Sequence, residues 1–259
     1  MSAGKIRVGV GGWNYDAWRG EFYPKGLPHS QELDYASRHL SSIEINGTFY
    51  RTPSAETFQK WHDETPDDFV FSLKAPRFAM NRKVLGTAGE SVDRFVESGL
   101  KNLKSKLGPI NWQLGPNKKF DAADMEEFLK LLPKELKHAL EVRHESFKCA
   151  EFIELARSYG VAIILAGDSE HPLIPDVTAP FVYARLMGTT EEANGYPAPD
   201  IDAWAERFRS FASGGSAQGL PYVSSAPAEG APRDVFVYFI SGFKQSNPKT
   251  AMEFMSRQG

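Results

Sequence analysis

Polar side chains recur near the ends of strand-like segments, and their types could support binding or catalysis. In Ser42–Asn46, Glu44 and Asn46 lie on one face of a predicted strand, because successive side chains of a strand alternate between two faces. Ile43 and Ile45 occupy the other face. A buried carboxylate is unfavourable unless a cation or hydrogen-bond donor compensates it. Glu44 therefore predicts either an internal ion pair or a functional site.

Other predicted strands repeat this arrangement. The polar residues at or just after their ends are Lys74, Gln113, Glu141, Arg143, His144, Asp168, Arg185 and Tyr238. Three aromatic residues, Trp13, Tyr15 and Tyr50, lie in segments that follow the first two strands. The carboxyl ends of parallel strands in a barrel meet at one face, so we expect these side chains to converge there.

This set of side chains favours an anionic ligand, and in particular one that bears phosphate. Arginine guanidinium groups match phosphate oxygens, and a nearby loop adds Arg77, Arg82 and Lys83. The aromatic residues could stack against a base or sugar, so a nucleotide or nucleic acid is one expected partner. The predicted ligand contacts are Trp13, Tyr15, Asn46, Tyr50, Gln113, Arg143, His144, Asp168, Arg185 and Tyr238.

Hydrolysis is a further hypothesis for the same residues. Glu44 or Glu141 would act as general base, and Lys74 would stabilise developing negative charge. An alternative is a glycoside hydrolase that uses the two carboxylates, although neighbouring cations would keep both ionised. A non-catalytic binding or scaffold protein that uses this face is another alternative, and so is a purely structural polar core.

The sequence predicts neither a metal site nor a cofactor. His144 and Asp168 are the only candidate metal ligands near strand ends, and no pair of His or Cys residues has metal-ligand spacing. A hydrogen-bonded structural role is the more frequent one for such a histidine. Lys74 as an imine-forming lysine is an open alternative.

The predicted elements alternate between strands and helices over the whole chain. The strands are Lys5–Gly11, Ser42–Asn46, Phe69–Ala75, Pro109–Leu114, His138–Arg143, Gly160–Ala166, Phe181–Met187 and Val235–Ile240. Eight such units in about 250 residues favour a TIM-type (β/α)8 barrel over a doubly wound open sheet, which usually has a glycine-rich phosphate turn. Ser169–Pro180 has no helical period, so a loop replaces the helix after strand six. Ala212–Arg233 is predicted to be a mobile surface loop.

Three helix boundaries follow from local patterns. Thr87–Glu90 has the spacing of a capping box and predicts a helix of about five turns that extends to Leu107. Asp121–Leu132 has inward-facing apolar residues at helical spacing. Asn247 followed by Pro248 predicts an N-cap and a first helical residue.

Composition is that of one globular domain over residues 1–259. The chain is 41% hydrophobic and 24% charged, and its single cysteine, Cys149, excludes an intramolecular disulfide framework. Without an apparent leader or a membrane-length apolar run, a cytoplasmic protein without a membrane partner is expected. The formal charge of −3 argues against a general nucleic-acid coat but permits a local basic patch.

Four ordered motifs resemble a known family. They are Gly-Gly-Trp-Asn-Tyr-x-x-Trp-x-Gly-x-Phe-Tyr-Pro from Gly11, Glu-Ile-Asn-x-Thr-Phe-Tyr from Glu44, Trp-x-x-x-Thr-Pro-x-x-Phe-x-Phe-Ser-x-Lys-x-Pro from Trp61, and Glu-x-Arg-His-x-Ser from Glu141. Together they resemble the YecE-like proteins, also called the domain of unknown function 72 family. The resemblance implies a TIM-barrel fold and no settled activity. Nucleic-acid binding has been suggested for this family from its likeness to phosphodiester-cleaving barrels.

The chain also departs from the family pattern. Gly47 replaces a usual serine, Phe147 a tryptophan, and Met187 the histidine of an Arg-x-His-Gly ending. Leu114-Gly115-Pro116 replaces a Pro-Pro-Ser turn, and the last strand ends in Ile240-Ser241 instead of two asparagines. These departures reduce the polar set at the last two strands, so a family activity that needs those residues would be lost or altered.

Overall fold

The strands of the computed structural model, which describes residues 2–192, 194–224 and 230–258, form one sheet. Within these residues there are nine parallel strands: β1 (Ile6–Gly11), β2 (Ser42–Ile45), β3 (Val70–Lys74), β4 (Leu107–Gln113), β5 (His138–Glu141), β6 (Ala162–Ile163), β7 (Leu165–Gly167), β8 (Phe181–Leu186) and β9 (Asp234–Phe239). The strand order is β6-β5-β4-β3-β2-β1-β9-β8-β7. The predicted TIM-type barrel is confirmed.

The ninth strand arises because the predicted sixth strand is divided at Ile164. Its first half, β6, pairs with β5, and its second half, β7, pairs with β8, so the two ends of the sheet meet in one chain segment. The hydroxyl of Thr178 accepts a hydrogen bond from Ile163 N at 3.2 Å and donates one to Val161 O at 2.6 Å. A loop side chain thus satisfies backbone groups that lack a strand partner, and the barrel is nearly closed.

Helices follow most of the strands. They are α1 (Glu32–His39), α2 (Ala55–Asp63), α3 (Arg77–Met80), α4 (Gly89–Val96), α5 (Ala122–Lys130), α6 (Ala150–Ser158), α7 (Ala198–Ala212) and α8 (Asn247–Ser256). Residues 169–180 contain no helix, which confirms the loop predicted after strand six. The predicted helix at Asp121–Leu132 is observed as α5, with Asp121 accepting a bond from Asp124 N as its N-cap.

The continuous helix predicted from Thr87 to Leu107 is wrong. Helix α4 ends at Val96, a 3-10 segment covers Leu100–Lys106, and Gly99 between them has a φ of 101°. A Cβ at Gly99 would lie 2.5 Å from the Cβ of Ala55, so the chain bends where it passes close to α2. The capping box is also absent, because Thr87 Oγ1 donates to Val84 O.

One further prediction about the C-terminal third needs correction. Asn247 does not act as the N-cap of α8. It is the first residue of the helix, and its buried side chain joins two loops by accepting from Thr189 Oγ1 at 2.7 Å and donating to Ser241 O at 3.3 Å.

The predicted mobile loop Ala212–Arg233 contacts the protein at both ends. The Asp176 carboxylate accepts hydrogen bonds from Val223 N and Ser224 N, at 2.9 and 2.7 Å. Arg233 Nη2 donates to Gly214 O at 2.6 Å. These bonds hold the described ends of the loop in place, and residues 225–229 lie outside the described part of the chain.

The sheet separates two cores. Side chains on its outer face, such as Val10, Ile43 and Leu140, pack with the helices in one large buried cluster. Alternate residues, including Tyr183 and Tyr238, form a smaller cluster in the barrel interior. Because each fully buried large apolar side chain contributes about 2 kcal/mol, the outer cluster provides a rigid frame for the strand ends.

Candidate functional site

A charged cluster lies at the carboxyl ends of β2, β5 and β8. The Arg185 guanidinium donates through Nη1 to Glu141 Oε2 at 2.6 Å and through Nη2 to Glu44 Oε1 at 3.1 Å. Both carboxylates are completely buried, and Arg185 is 3% exposed. One cation therefore holds two acidic side chains from strands that are separated by β3 and β4.

Neutral donors complete the shell around these carboxylates. Tyr183, two residues before Arg185 on β8, donates its hydroxyl to Glu44 Oε2 at 2.6 Å. Asn111 Nδ2 lies 3.3 Å from Glu44 Oε2 and 3.1 Å from Glu141 Oε2, so one amide links the two carboxylates. We call Glu44, Asn111, Glu141, Tyr183 and Arg185 the Arg185 cluster.

Arg143 extends the cluster toward solvent. Its Nε and Nη2 donate to Glu141 Oε1 at 3.0 and 2.7 Å, and Nη2 also donates to Gln113 Oε1 at 2.8 Å. Its side chain is 22% exposed. Arg143 therefore joins the buried charges to the surface of the barrel mouth.

The surrounding charges determine the ionisation of Glu141. Burial by itself would raise the pKa of this carboxyl, but the coulombic fields of Arg185, Arg143 and Lys74 outweigh burial and lower the pKa to about 2. Burial and the negative charge of Glu44 raise the pKa of Tyr183 well above its ordinary value, so its hydroxyl stays a donor. The cluster is therefore ionised on Glu141 and protonated on Tyr183 at neutral pH.

Lys74, the last residue of β3, lies beside the Arg185 cluster, and the environment of its side chain differs from that of Arg143 and Arg185. It is 9% exposed, and its Nζ lies 4.6 Å from the centre of the Phe49 ring, an arrangement that stabilises an ammonium group modestly. No hydrogen-bond acceptor for Nζ occurs among residues 2–192, 194–224 and 230–258. Burial, followed by the charge of Arg185, lowers the pKa of Lys74 below its ordinary value.

Lys74 opens into a cavity of about 280 Å³, which we call the mouth cavity. Its charged lining consists of Lys74, Arg143, Arg185 and Lys244. Neither Glu44 nor Glu141 lines it. Gly11, the last residue of β1, leaves room for the Asn46 side chain, because a Cβ at this position would lie 2.5 Å from Asn46 Nδ2. The mouth cavity thus presents positive charge, while the balancing carboxylates lie behind it.

A second cavity of about 680 Å³, the aromatic groove, adjoins the mouth cavity. Trp13 and Trp61 line the groove and meet edge to face, with their ring centres 5.3 Å apart. Tyr15, Asn46 and Tyr50 line both cavities. Tyr50 is 71% exposed, which is unusual for an aromatic side chain and leaves its ring available for stacking. The two cavities therefore share three wall residues.

Three predicted site residues lie elsewhere. His144 Nδ1 accepts from Ser146 N at 3.1 Å and caps a short 3-10 helix. Asp168 accepts from Tyr196 OH and Trp204 Nε1, at 2.9 and 2.8 Å, and so holds the start of α7 against the barrel.

Tyr238 is the third residue outside the site. It is fully buried within the barrel, and its hydroxyl lies 2.7 Å from Ser42 Oγ and 2.6 Å from Ser72 Oγ. The loop cations Arg77, Arg82 and Lys83 do not line the mouth cavity, and Arg82 instead donates to Ser91 Oγ at 2.8 Å. Most of the other predicted residues line one or both cavities, namely Trp13, Tyr15, Asn46, Tyr50, Lys74, Arg143 and Arg185. Glu44, Gln113 and Glu141 line neither cavity.

Sequence reasoning missed several residues of this face. Strand alternation predicts that Asn111 shares a face with Gln113, and Tyr183 with Arg185, but the predicted site did not include Asn111 or Tyr183. Lys244 follows the last strand, and its Nζ lies 5.4 Å from the centre of the Tyr15 ring. Its place in a loop leaves no periodic signal in the sequence.

The acidic and imidazole side chains offer no evident metal centre. Within the described ranges 2–192, 194–224 and 230–258, no group of three or more His, Cys, Asp or Glu side chains is arranged to hold a metal ion. In the same ranges, no helix has the length and apolar character that a membrane crossing requires.

The fold and its charged mouth define a class, a parallel α/β barrel with a polar site at the carboxyl ends of its strands. The profile of the family described as "Protein of unknown function DUF72" matches residues 7–259. The chain therefore belongs to the DUF72 family, as its motifs indicated.

Two curated relatives match parts of the chain. The UPF0759 protein YecE of Escherichia coli K12 is 30% identical over 146 residues, which are 55% of this chain and 50% of YecE. The UPF0759 protein YunF of Bacillus subtilis is 32% identical over 71 residues, which are 27% of this chain and 24% of YunF. The matched regions span half of the first relative's length and about a quarter of the second's.

Solved structures share the fold over the whole chain. A DUF72 family protein from Thermotoga maritima superposes with a TM-score of 0.75 at 22% identity, covering 97% of this chain and 98% of its own. One from Enterococcus faecalis V583 gives a TM-score of 0.72 at 18% identity, covering 99% and 98%. At these identities the likeness establishes the barrel fold.

Proposed function

We propose that the barrel mouth binds an anionic, phosphate-bearing ligand, and that the ligand is a nucleotide. The observation that carries this proposal is Lys74, a nearly buried cation at the mouth cavity that has no hydrogen-bond acceptor among the described residues. The Nζ of Lys74 lines the cavity without a protein acceptor among the described residues, and a phosphate oxygen would supply one.

The charge balance of the mouth supports an anion. Lys74, Arg143 and Arg185 face two carboxylates, Glu44 and Glu141, so one positive charge remains uncompensated. Lys244 at the rim adds another. Since the carboxylates are hidden behind Arg185, an entering anion meets the cations first.

The aromatic groove supports the nucleotide in particular. The wall residues that it shares with the mouth cavity, Tyr15, Asn46 and Tyr50, would let one ligand place its phosphate at Lys74 and a planar base near Tyr50. Stacking of a base on an aromatic side chain contributes about 1–3 kcal/mol. The dimensions of the two cavities suit a mononucleotide better than a bare anion.

Hydrolytic versions of the proposal have weaker support. A general base works best with a pKa near the operating pH, and the pKa of about 2 makes Glu141 a poor base. Glu44 is fully buried and hydrogen bonded by Arg185 and Tyr183. Neither carboxylate lines the mouth cavity or the aromatic groove, which also weakens the glycoside hydrolase alternative.

Calorimetric titration with inorganic phosphate, adenosine and adenosine monophosphate tests the proposal. We expect the monophosphate to bind more tightly than either fragment, and Lys74→Met to weaken its binding at least about tenfold, equivalent to ~1.4 kcal/mol. Lys101→Met is the matched control, since Lys101 is exposed and pairs with Glu135 at 3.1 Å. Unchanged affinity in Lys74→Met would refute the phosphate site.

A further inference from the structure

Lys74 and Lys106 are both buried among the described residues, but their ammonium groups have different surroundings. Lys106 is 2% exposed, and its Nζ donates to His62 O at 2.6 Å, Thr65 O at 2.7 Å and Thr65 Oγ1 at 3.3 Å. An ammonium group has three donors, so Lys106 is saturated and links the β3 and β4 regions. Lys74 is nearly as buried, and its Nζ lies 4.6 Å from the centre of the Phe49 ring.

The position of Lys74 gives its amine access to a ligand. The residue ends β3 and lines the mouth cavity, which is large enough, at about 280 Å³, for a small phosphorylated compound. Arg143 and Lys244 line the same cavity, so an anionic group has other cations to contact while Nζ approaches a second part of the ligand.

The electrostatic environment favours the neutral amine that a nucleophile requires. Burial disfavours the charged form of Lys74, and Arg185 and Arg143 add to this effect, while Glu44 and Glu141 oppose it. The net result is a lowered pKa for Lys74, so more of its amine is neutral at a given pH than in an exposed lysine.

From the burial of Lys74, its lack of an acceptor and its place on the mouth cavity, we infer that Nζ forms an imine with the carbonyl group of a small phosphorylated aldehyde. This aldehyde is a second ligand of the mouth cavity, distinct from the nucleotide, and its phosphate contacts Arg143 and Lys244 instead of Lys74. Its requirement for phosphate rests on the function proposed above. Lys106 does not react, because its donors are occupied and it lines neither the mouth cavity nor the aromatic groove.

The step is balanced without any oxidant or reductant. The Nζ lone pair attacks the carbonyl carbon, the carbonyl oxygen takes up a proton, and Nζ loses one, which gives a carbinolamine. The hydroxyl group then leaves with a proton as water, and a carbon–nitrogen double bond forms. Hydrolysis reverses both steps, so the adduct is transient unless it is reduced.

Reductive trapping tests this inference. The full chain is treated with glycolaldehyde phosphate and sodium cyanoborohydride, which supplies hydride to the imine, and modified lysines are located by peptide mapping. We expect Lys74 to be labelled at least about tenfold faster than exposed Lys101, because its neutral amine opens into the mouth cavity. Lys106 should remain unlabelled. Labelling of Lys74 at or below the rate of Lys101 would overturn the inference.

Two controls separate this inference from the proposed function. Lys74→Arg keeps the positive charge but cannot form an imine, so fast labelling should disappear while binding of adenosine monophosphate persists. Unphosphorylated glycolaldehyde tests the need for the anion. If both aldehydes label Lys74 equally fast, the imine chemistry stands and the phosphate site fails. If the monophosphate binds but Lys74 is not labelled, the binding site stands and the imine is refuted.

Discussion

Arg185 and Lys74 both line the mouth cavity, but their surroundings give them different roles. Arg185 is enclosed, and its two Nη atoms contact the carboxylates of Glu141 and Glu44 at 2.6 and 3.1 Å. Lys74 is almost as enclosed but has no acceptor among the residues that the structure describes. The first cation is committed to structure, and the second is available to a ligand.

This difference shows that position at a strand end does not by itself define a binding residue. A cation that already neutralises buried carboxylates cannot leave them without a large cost. A cation without a partner gains from any anion that enters.

Replacement of the two cations by methionine should have unequal effects on stability. Arg185→Met leaves Glu44 and Glu141 buried without a cation between them, so the free energy of unfolding should fall by about 3–5 kcal/mol. Lys74→Met removes an unpaired charge and should change it by less than about 1 kcal/mol. Urea unfolding followed by circular dichroism measures both. Equal losses would contradict the division of roles.

Acid should destabilise the protein through Glu141. Its pKa is about 2 in the folded protein and near the ordinary 4.5 in the unfolded chain, so the unfolded state takes up a proton first as the pH falls. The stabilisation is complete above about pH 5 and is lost towards pH 2, and its size is roughly 3 kcal/mol. Urea unfolding across this range measures the slope, and Glu141→Gln should flatten it. The same slope in that variant would assign the acid sensitivity to other groups.

Two tyrosines of the barrel interior compare a charged with a neutral environment. Tyr183→Phe removes a donor to the buried Glu44 carboxylate and should cost about 2 kcal/mol. Tyr238→Phe removes a hydroxyl between Ser42 and Ser72, but Ser42 Oγ still donates to Val70 O, so the cost should be about 1 kcal/mol. Thermal unfolding of the two variants checks the order. A larger loss in Tyr238→Phe would reverse it.

The smallest effect on stability is expected at the rim. Tyr50 is 71% exposed, so Tyr50→Ala should change the free energy of unfolding by no more than about 0.5 kcal/mol. Loss of a stacking ring should nevertheless weaken binding of adenosine monophosphate by about 1 kcal/mol and leave inorganic phosphate unaffected. Calorimetric titration of both ligands measures this contrast. Equal weakening of both would place Tyr50 at the anion instead of the base.

Much of the fold could be predicted from the sequence. The period of two in segments such as Ser42–Asn46 and the regular spacing of strands and helices predicted the barrel, because burial of alternate faces leaves a local signature. The helix break at Gly99 could not be predicted, since it depends on the close approach of α2 in the folded chain. The division of the sixth strand at Ile164 likewise depends on where the sheet closes.

The residues of the candidate site could be predicted in part. Strand alternation placed Glu44, Glu141 and Arg185 correctly at one face, and the family motifs agreed. It also included Asp168 and Tyr238, whose side chains are bound to other partners in the structure. A pattern along one strand indicates which way a side chain points, but hydrogen-bond partners come from other strands.

The barrel, the family and the polar face at the strand ends could be predicted from local periodicity and ordered motifs. Which charged side chains pair with one another depends on the folded arrangement of the strands. Glu44, Glu141 and Arg185 are far apart in the chain, and their pairing depends on distances near 3 Å that sequence spacing does not encode. The same geometry leaves Lys74 as the cation available to a ligand, since no acceptor in the described residues reaches it.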